Sequence, residues 1–165
     1  MKKTEKNLGD GFAGESQANI KYLAFAKKAE ADGFPQAAKL FRATAEAEII
    51  HAHAHLKALG KIKTTADNLQ AAIAGETYEF SEMYPQFIKE AKEEENTAAA
   101  LRSFTLANEA EKVHAVLYKK ALDTLENKES FPYYLCTVCG HIHEGSAPDS
   151  CPICGAKAQA YKKFD

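Results

Sequence analysis

One pattern is written twice along the chain, and it restricts the fold more than any other feature. Ala13-Gly14-Glu15-Ser16 returns sixty-one residues later as Ala74-Gly75-Glu76-Thr77. Ala47-Glu48-Ile49-Ile50-His51-Ala52 returns after sixty-three as Ala110-Glu111-Lys112-Val113-His114-Ala115. A repeat of this period marks a duplicated supersecondary unit. Here the unit reads as a helical hairpin, because the surrounding sequence from Thr4 to Asn127 is rich in Ala, Glu, Lys and Leu. Its apolar residues, such as Ile20, Leu23 and Ala24 or Leu40, Phe41 and Ala45, recur at helical spacing.

Punctuation divides the repeat into four helices. Asp32-Gly33-Phe34-Pro35 ends one helix and opens the next, Leu59-Gly60-Lys61 ends the second, and Asp67 caps a third. Glu95-Asn96-Thr97 separates the third from a fourth. The predicted helices are 4–31, 35–59, 67–95 and 97–127, with Pro85 kinking the third. After Lys128-Glu129-Ser130 the composition turns to Tyr, Cys, Gly and Pro, so residues 1–130 are expected to form a four-helix bundle and 131–165 a small, loop-rich module.

The remaining composition excludes several classes. A net charge of −2, with acids and bases interleaved, leaves no positive footprint for nucleic acid. No apolar run approaches the roughly 20 residues of a membrane span. The start, Met1-Lys2-Lys3-Thr4, is basic without an apolar stretch behind it, so a cytoplasmic location is expected.

What repeats is chemistry. Glu and His three residues apart share one helix face, so a Glu-x-x-His pair can meet one metal ion, or two adjacent ions can share its glutamate. Two such pairs and two single glutamates on four helices form the ligand set of a dinuclear carboxylate site in a ferritin-like bundle. Oxygen with imidazole suits iron or manganese. The candidate set is Glu15, Glu48, His51, Glu76, Glu111 and His114. Glu79, whose counterpart in the first helix is Ala18, is a seventh candidate that makes the two metal positions inequivalent. Gly14 and Gly75, each costing about 1 kcal/mol inside a helix, either leave room for a ligand beside the glutamates or permit close helix packing. Tyr22 and Tyr84 either project hydroxyls toward the carboxylates or serve as core aromatics. His53 and His55 read as solvated.

All four cysteines fall in the last thirty residues as Cys136-x-x-Cys139-Gly140 and Cys151-x-x-Cys154-Gly155. In a cytoplasmic chain such paired knuckles are metal ligands before they are disulfides. Their spacing leaves both zinc, in a structural ribbon, and iron, in a one-electron centre, open. Tyr133, Tyr134, Ile153, Tyr161 and Phe164 are expected to make the module's core, and His141 and His143 to lie at its surface.

Over essentially the whole chain the sequence resembles the rubrerythrins. The resemblance rests on Gly14-Glu15, Glu48-x-x-His51, Gly75-Glu76-x-x-Glu79, Met83-Tyr84-Pro85, Glu111-x-x-His114 and the two Cys-x-x-Cys-Gly knuckles. It implies a ferritin-like diiron bundle, of Fe–O–Fe type, followed by a rubredoxin-like Fe(Cys)4 domain, together reducing hydrogen peroxide in an anaerobe or microaerophile. It implies that Glu15, Glu48, Glu76, Glu79, Glu111 and His114 hold the iron pair. His51 replaces Glu79 on one iron upon reduction, and Tyr22 and Tyr84 hydrogen-bond nearby. Cys136, Cys139, Cys151 and Cys154 then bind a single iron.

Reducing peroxide to two waters takes two electrons, which a diferrous pair supplies at once. Electrons are expected from NAD(P)H through a separate reductase or a rubredoxin. Topology adds an expectation. A helix of about 25 residues is roughly 37 Å long, whereas residues 60–66 reach at most about 25 Å. The second and third helices run parallel in ferritin-like bundles, so the link is too short and a domain-swapped homodimer is expected. The competing reading is a ferritin-like iron-oxidising protein with a zinc ribbon, using oxygen and needing no reductase.

Overall fold

The structure, a computed structural model, describes residues 2–165. The chain condenses into two compact units, one reaching Lys63 and the other Thr64–Asp165.

The first unit is an antiparallel hairpin of α1 (Lys3–Ala31) and α2 (Pro35–Ala58). Gly33, at φ +81°, closes α1: the Phe34 N–H donates to Ala29 O and the Gly33 N–H to Glu30 O. These two bonds satisfy carbonyls that the helix end leaves free. Pro35 then starts α2, where a missing N–H costs nothing. The seam is built from small residues, Ala26, Ala29, Ala38, Ala45 and Ala52, all buried, so the two backbones approach closely. Asn19 crosses the seam to donate to Ala45 O at 2.7 Å. Tyr22, Phe25 and Phe41 form an aromatic cluster on the hairpin, with ring centroids 5.6–6.3 Å apart.

The second unit begins with α3 (Thr65–Tyr78). Its cap is Thr64 rather than Asp67: the Thr64 hydroxyl oxygen accepts from Asp67 N–H at 3.2 Å and donates to the Asp67 carboxylate at 2.7 Å. Asp67, three residues on, thus bonds the capping hydroxyl with both its backbone and its carboxylate. A π-helical turn, Glu79–Met83, leads into α4 (Tyr84–Glu93), and α5 (Ala98–Asp123) follows. The π turn ends two residues before Pro85, where a kink is expected. Tyr84 N–H donates to Glu79 O, five residues back, and the wider turn absorbs the N–H that Pro85 lacks. The fourth helix ends earlier than expected, giving way to a 3₁₀ turn at Leu125–Asn127. Tyr84, Phe87 and Phe104 cluster as their counterparts do in the first hairpin.

Strands β1 (Tyr133–Cys136), β2 (Ile142–Glu144) and β3 (Tyr161–Phe164) form an antiparallel sheet in the order β2-β1-β3. The sheet is tied to α5 by Lys120, which pairs with Glu144 and lies 5.4 Å from the Phe131 ring centroid. Among the described residues no helix is long and apolar enough to cross a membrane.

Candidate metal centres

Each unit brings together half of the carboxylate–histidine set. In the first, α1 supplies Glu15 and α2 supplies Glu48 and His51, with one donor atom of each within 4.8 Å of the others. His51 Nδ1 lies 3.0 Å from Glu48 Oε2 and 4.0 Å from Glu15 Oε1, and the side chain is half exposed. In the second, Glu76 from α3 meets Glu111 and His114 from α5 within the same limit. His114 Nδ1 is 2.7 Å from Glu111 Oε2 and 3.7 Å from Glu76 Oε2. Three donors this close, two carboxylates and an imidazole, fit an iron-type site.

The two histidines differ in how they are held. His114 Nε2 lies 2.9 Å from the Gly140 carbonyl oxygen. A carbonyl only accepts, so Nε2 carries a hydrogen, and Nδ1, 2.7 Å from Glu111 Oε2, is the nitrogen that faces the carboxylate cluster. A metal-binding histidine is commonly fixed in this way by a backbone carbonyl. Gly140 follows Cys139 directly, so the bond joins the carboxylate half-site to the cysteine module.

A Cβ built on Gly14 or Gly75 would meet no atom within 4 Å, so neither glycine is demanded by packing in this chain. Gly11 is the tight position: a Cβ there would come within 3.0 Å of the His55 ring. His55 is therefore half-buried against α1 rather than solvated, whereas His53 is exposed.

Glu76 is pushed up to about 7, first by burial and then by the hydrogen bond and negative charge of Glu111. Glu79, on the π turn, is raised by burial and by the charge of Glu76. Tyr84 keeps its proton more firmly than usual, through burial and the charges of Glu111, Glu79 and Glu76. Its ring packs against Phe87 and Phe104. Tyr22 packs against Phe25 and Phe41.

The raised Glu76 has a consequence for the metal-free protein. Its folded value lies above the ordinary 4.5, so the stability it contributes is complete below that pH and is lost as pH rises through about 7. Glu76→Gln copies the protonated form. Metal-free wild type should therefore lose melting temperature relative to Glu76→Gln between pH 5 and 8, and a constant gap in thermal unfolding would refute it.

The four cysteines form a second cluster. Cys136 and Cys154 sulfurs are 3.7 Å apart and Cys139 and Cys151 sulfurs 3.5 Å. A tetrahedron with metal–sulfur bonds of about 2.3 Å has edges of roughly 3.8 Å, so the cage fits a four-coordinate metal. Gly140 and Gly155 at φ +83° and +75° let each knuckle fold back, Gly140 N–H onto Cys136 O and Gly155 N–H onto Cys151 O. Burial alone would push Cys151 up. Hydrogen bonds from the Tyr161 hydroxyl and the Cys154 and Ile153 backbone instead bring it down to about 6.

Two expectations about this module need correction. His141 is not a surface residue but only 4% exposed, its ring edge-on to Tyr161. Phe164, expected in the core, is 46% exposed at the sheet edge. The module is small enough that its innermost side chains are Cys136, Cys151 and His141, with aromatics around them.

Comparison with known proteins agrees with this geometry. A family model described as rubrerythrin matches residues 6–122, and one described as the rubrerythrin rubredoxin-like domain matches residues 134–162. Nigerythrin of Nitratidesulfovibrio vulgaris is 39% identical, covering 92% of this chain and 81% of its own. Rubrerythrin-2 of Clostridium acetobutylicum is 36% identical over 95% and 94%. A solved structure described as the fully reduced, all-ferrous state of nigerythrin superposes with a TM-score of 0.61 and 36% identity, covering 99% of this chain and 88% of that one. The mainly α, ferritin-like class, the carboxylate–histidine candidates for a diiron site and the rubredoxin-like four-cysteine site thus occur together. The chain belongs to the rubrerythrin family.

Proposed function

We propose that this protein reduces hydrogen peroxide to water in the cytoplasm of an anaerobe or microaerophile. Its electrons come from NAD(P)H by way of a rubredoxin or a separate reductase and enter through a single iron at Cys136, Cys139, Cys151 and Cys154. Glu15, Glu48, His51, Glu76, Glu79, Glu111 and His114 hold an iron pair, which when bound supplies the two electrons that the O–O bond requires. Residues 1–130 carry that chemistry and 131–165 carry the electron entry.

The observation that carries this reading is the hydrogen bond from His114 Nε2 to Gly140 O. It gives electrons a short route from the Cys139 knuckle, through one carbonyl and one imidazole, to a ligand of the carboxylate cluster. His114 is pinned there while His51 is half exposed, which suits a site where His51 moves and His114 does not. Tyr84 and Glu79 are the proton-bearing groups facing the cluster, and Tyr22 is the matching tyrosine of the first hairpin.

Assembly follows from reach. The link between α2 and α3, Leu59 to Thr64, spans at most about 22 Å, whereas α2 is about 36 Å long. Ile20, Leu40 and Ile50 on the first hairpin are 66%, 66% and 69% exposed, an apolar surface that asks for a cover. A domain-swapped homodimer provides both, completing each site with the first hairpin of one copy and the second unit of the other.

The test is metal analysis and a visible spectrum of anaerobically purified protein, followed by stoichiometric peroxide on the reduced form. Iron at both sites, a red ferric-thiolate spectrum and reoxidation by peroxide faster than by air support the proposal. Zinc at the cysteines with a faster response to oxygen would replace it with an iron-oxidising role.

A further inference from the structure

Lys120 belongs neither to the carboxylate cluster nor to the cysteine cage, yet two groups of the C-terminal module close on it. Its ammonium pairs with Glu144 Oε2 at the end of β2 and stands over the Phe131 ring, 5.4 Å from the centroid. Exposed ion pairs contribute little. This one differs, because the Glu144 side chain is only 22% exposed and its other oxygen, Oε1, is buried without a hydrogen-bond partner. Loss of the cation would leave a mostly buried carboxylate uncompensated. A second polar tether, His114 Nε2 to Gly140 O, lies six residues earlier on α5. The two anchors are about 9 Å apart along the helix and about 120° apart around it, so together they oppose both sliding and rotation of the module. They also grip a single arm, since Gly140 directly follows Cys139 and Glu144 ends the next strand. Beside them is an apolar cavity of about 470 Å³, lined by Leu69, Leu117 and Ala121 of the helices and by Leu135, Ile142 and Phe164 of the sheet. Side chains that border a cavity forgo contacts that close packing would supply, so the seating of the module on α5 rests on the polar anchors.

We propose that Lys120, by holding Glu144 and Phe131, keeps the four-cysteine centre seated on α5 where His114 meets Gly140, and so governs how fast electrons pass from that centre to the carboxylate cluster. This rests on the reading above that both sites hold iron. In each transfer one electron leaves the tetrathiolate iron, which goes from ferrous to ferric, and enters the iron pair, which is reduced by one. No bond is made or broken and no proton moves at Lys120. The lysine is a positioning residue: it touches neither substrate nor metal ligand, and acts through the place of Gly140 against His114. Its ammonium serves two partners at once, a carboxylate and an aromatic face, and both lie on the segment that joins α5 to the sheet or on the sheet itself. A neutral side chain of the same length offers neither interaction.

Stopped-flow spectroscopy of the full-length, iron-loaded protein tests this. Fully reduced protein is mixed with peroxide, and electron loss from the four-cysteine iron is read as the rise of its red ferric–thiolate absorption. Lys120→Met should slow that phase about tenfold, the fold-change to which 1.4 kcal/mol of lost docking corresponds, while peroxide disappears in the first turnover at the wild-type rate. Lys120→Arg should restore the phase. Glu144→Gln added to Lys120→Met removes the stranded charge and should recover part of it. Glu144→Gln alone should slow the phase by less, and decides the matter should Lys120→Met fail to hold iron. Hydrogen exchange read by mass spectrometry, which needs no electron transfer, should rise in Lys120→Met across the link at residues 125–132. A wild-type phase in Lys120→Met overturns the inference, as do equal slowing of the peroxide step, slowing without faster exchange, or failure of Lys120→Arg to restore the rate. Zinc at the cysteines of the purified wild type would instead overturn the reading on which it rests; metal analysis reads that separately, and the exchange measurement still decides whether Lys120 seats the module.

Discussion

Glu79→Ala should slow peroxide consumption about a hundredfold, at the lower end of what a positioned proton-transfer group contributes, while leaving iron in the protein. Six other carboxylate and imidazole donors remain in the two half-sites, so metal retention is expected. What disappears is the carboxyl group that the π turn presents to Glu76 and His114. Glu79→Gln separates the roles, because it keeps the side chain's length and loses the exchangeable proton. Both variants should therefore be slow, Glu79→Ala at least as slow as Glu79→Gln. Measured as peroxide loss under a fixed reductant, alongside iron content, a wild-type rate in Glu79→Ala would remove Glu79 from the mechanism.

The position of Glu79 shows which parts of this molecule its sequence makes legible. Helix ends at Gly33 and Gly60 and the start at Pro35 follow from local backbone chemistry, and the structure places them within a residue or so of the expectation. Both half-sites follow from the repeat, because spacing along a helix dictates which donors share a face. The π turn also left a trace. Glu15 and Glu76 are separated by sixty-one residues, but Tyr22 and Tyr84, or Phe25 and Phe87, by sixty-two. One extra residue has therefore entered the third helix between Glu76 and Tyr84, and it is accommodated at Glu79–Met83. A reading confined to the ligand motifs has no reason to count that far. The repeated aromatic clusters, with Phe41 matched by Phe104 sixty-three residues on, carry the same signal. His141 left no such trace. Its burial depends on how two short strands and a 3₁₀ turn close over the cysteines, and no periodicity encodes that.

Mixing two inactive variants should restore activity. Glu48→Ala with His51→Ala leaves the half-site of the first hairpin with Glu15 alone, and Glu111→Ala with His114→Ala leaves the half-site of the second unit with Glu76 alone. Each variant alone leaves every complete site with four of its six clustered donors. Peroxide turnover should then fall by more than about a hundredfold, beyond the 10–100-fold that loss of an outer-shell partner costs. Co-expressed under different tags and purified as the heterodimer, the two should regain about half of the wild-type rate per dimer. In a swapped dimer one site takes its first half from the second variant and its second half from the first variant, both intact, while the other site collects all the damage. If each chain instead builds a site with its own two halves, both sites of the heterodimer stay broken and the mixture is as inert as its parts. The difference is roughly fiftyfold by the same scale, and it does not depend on fine detail of the metal chemistry. A restored rate would show that two chains share each site, as we propose from the six-residue link between Ala58 and Thr65, whose reach is shorter than α2.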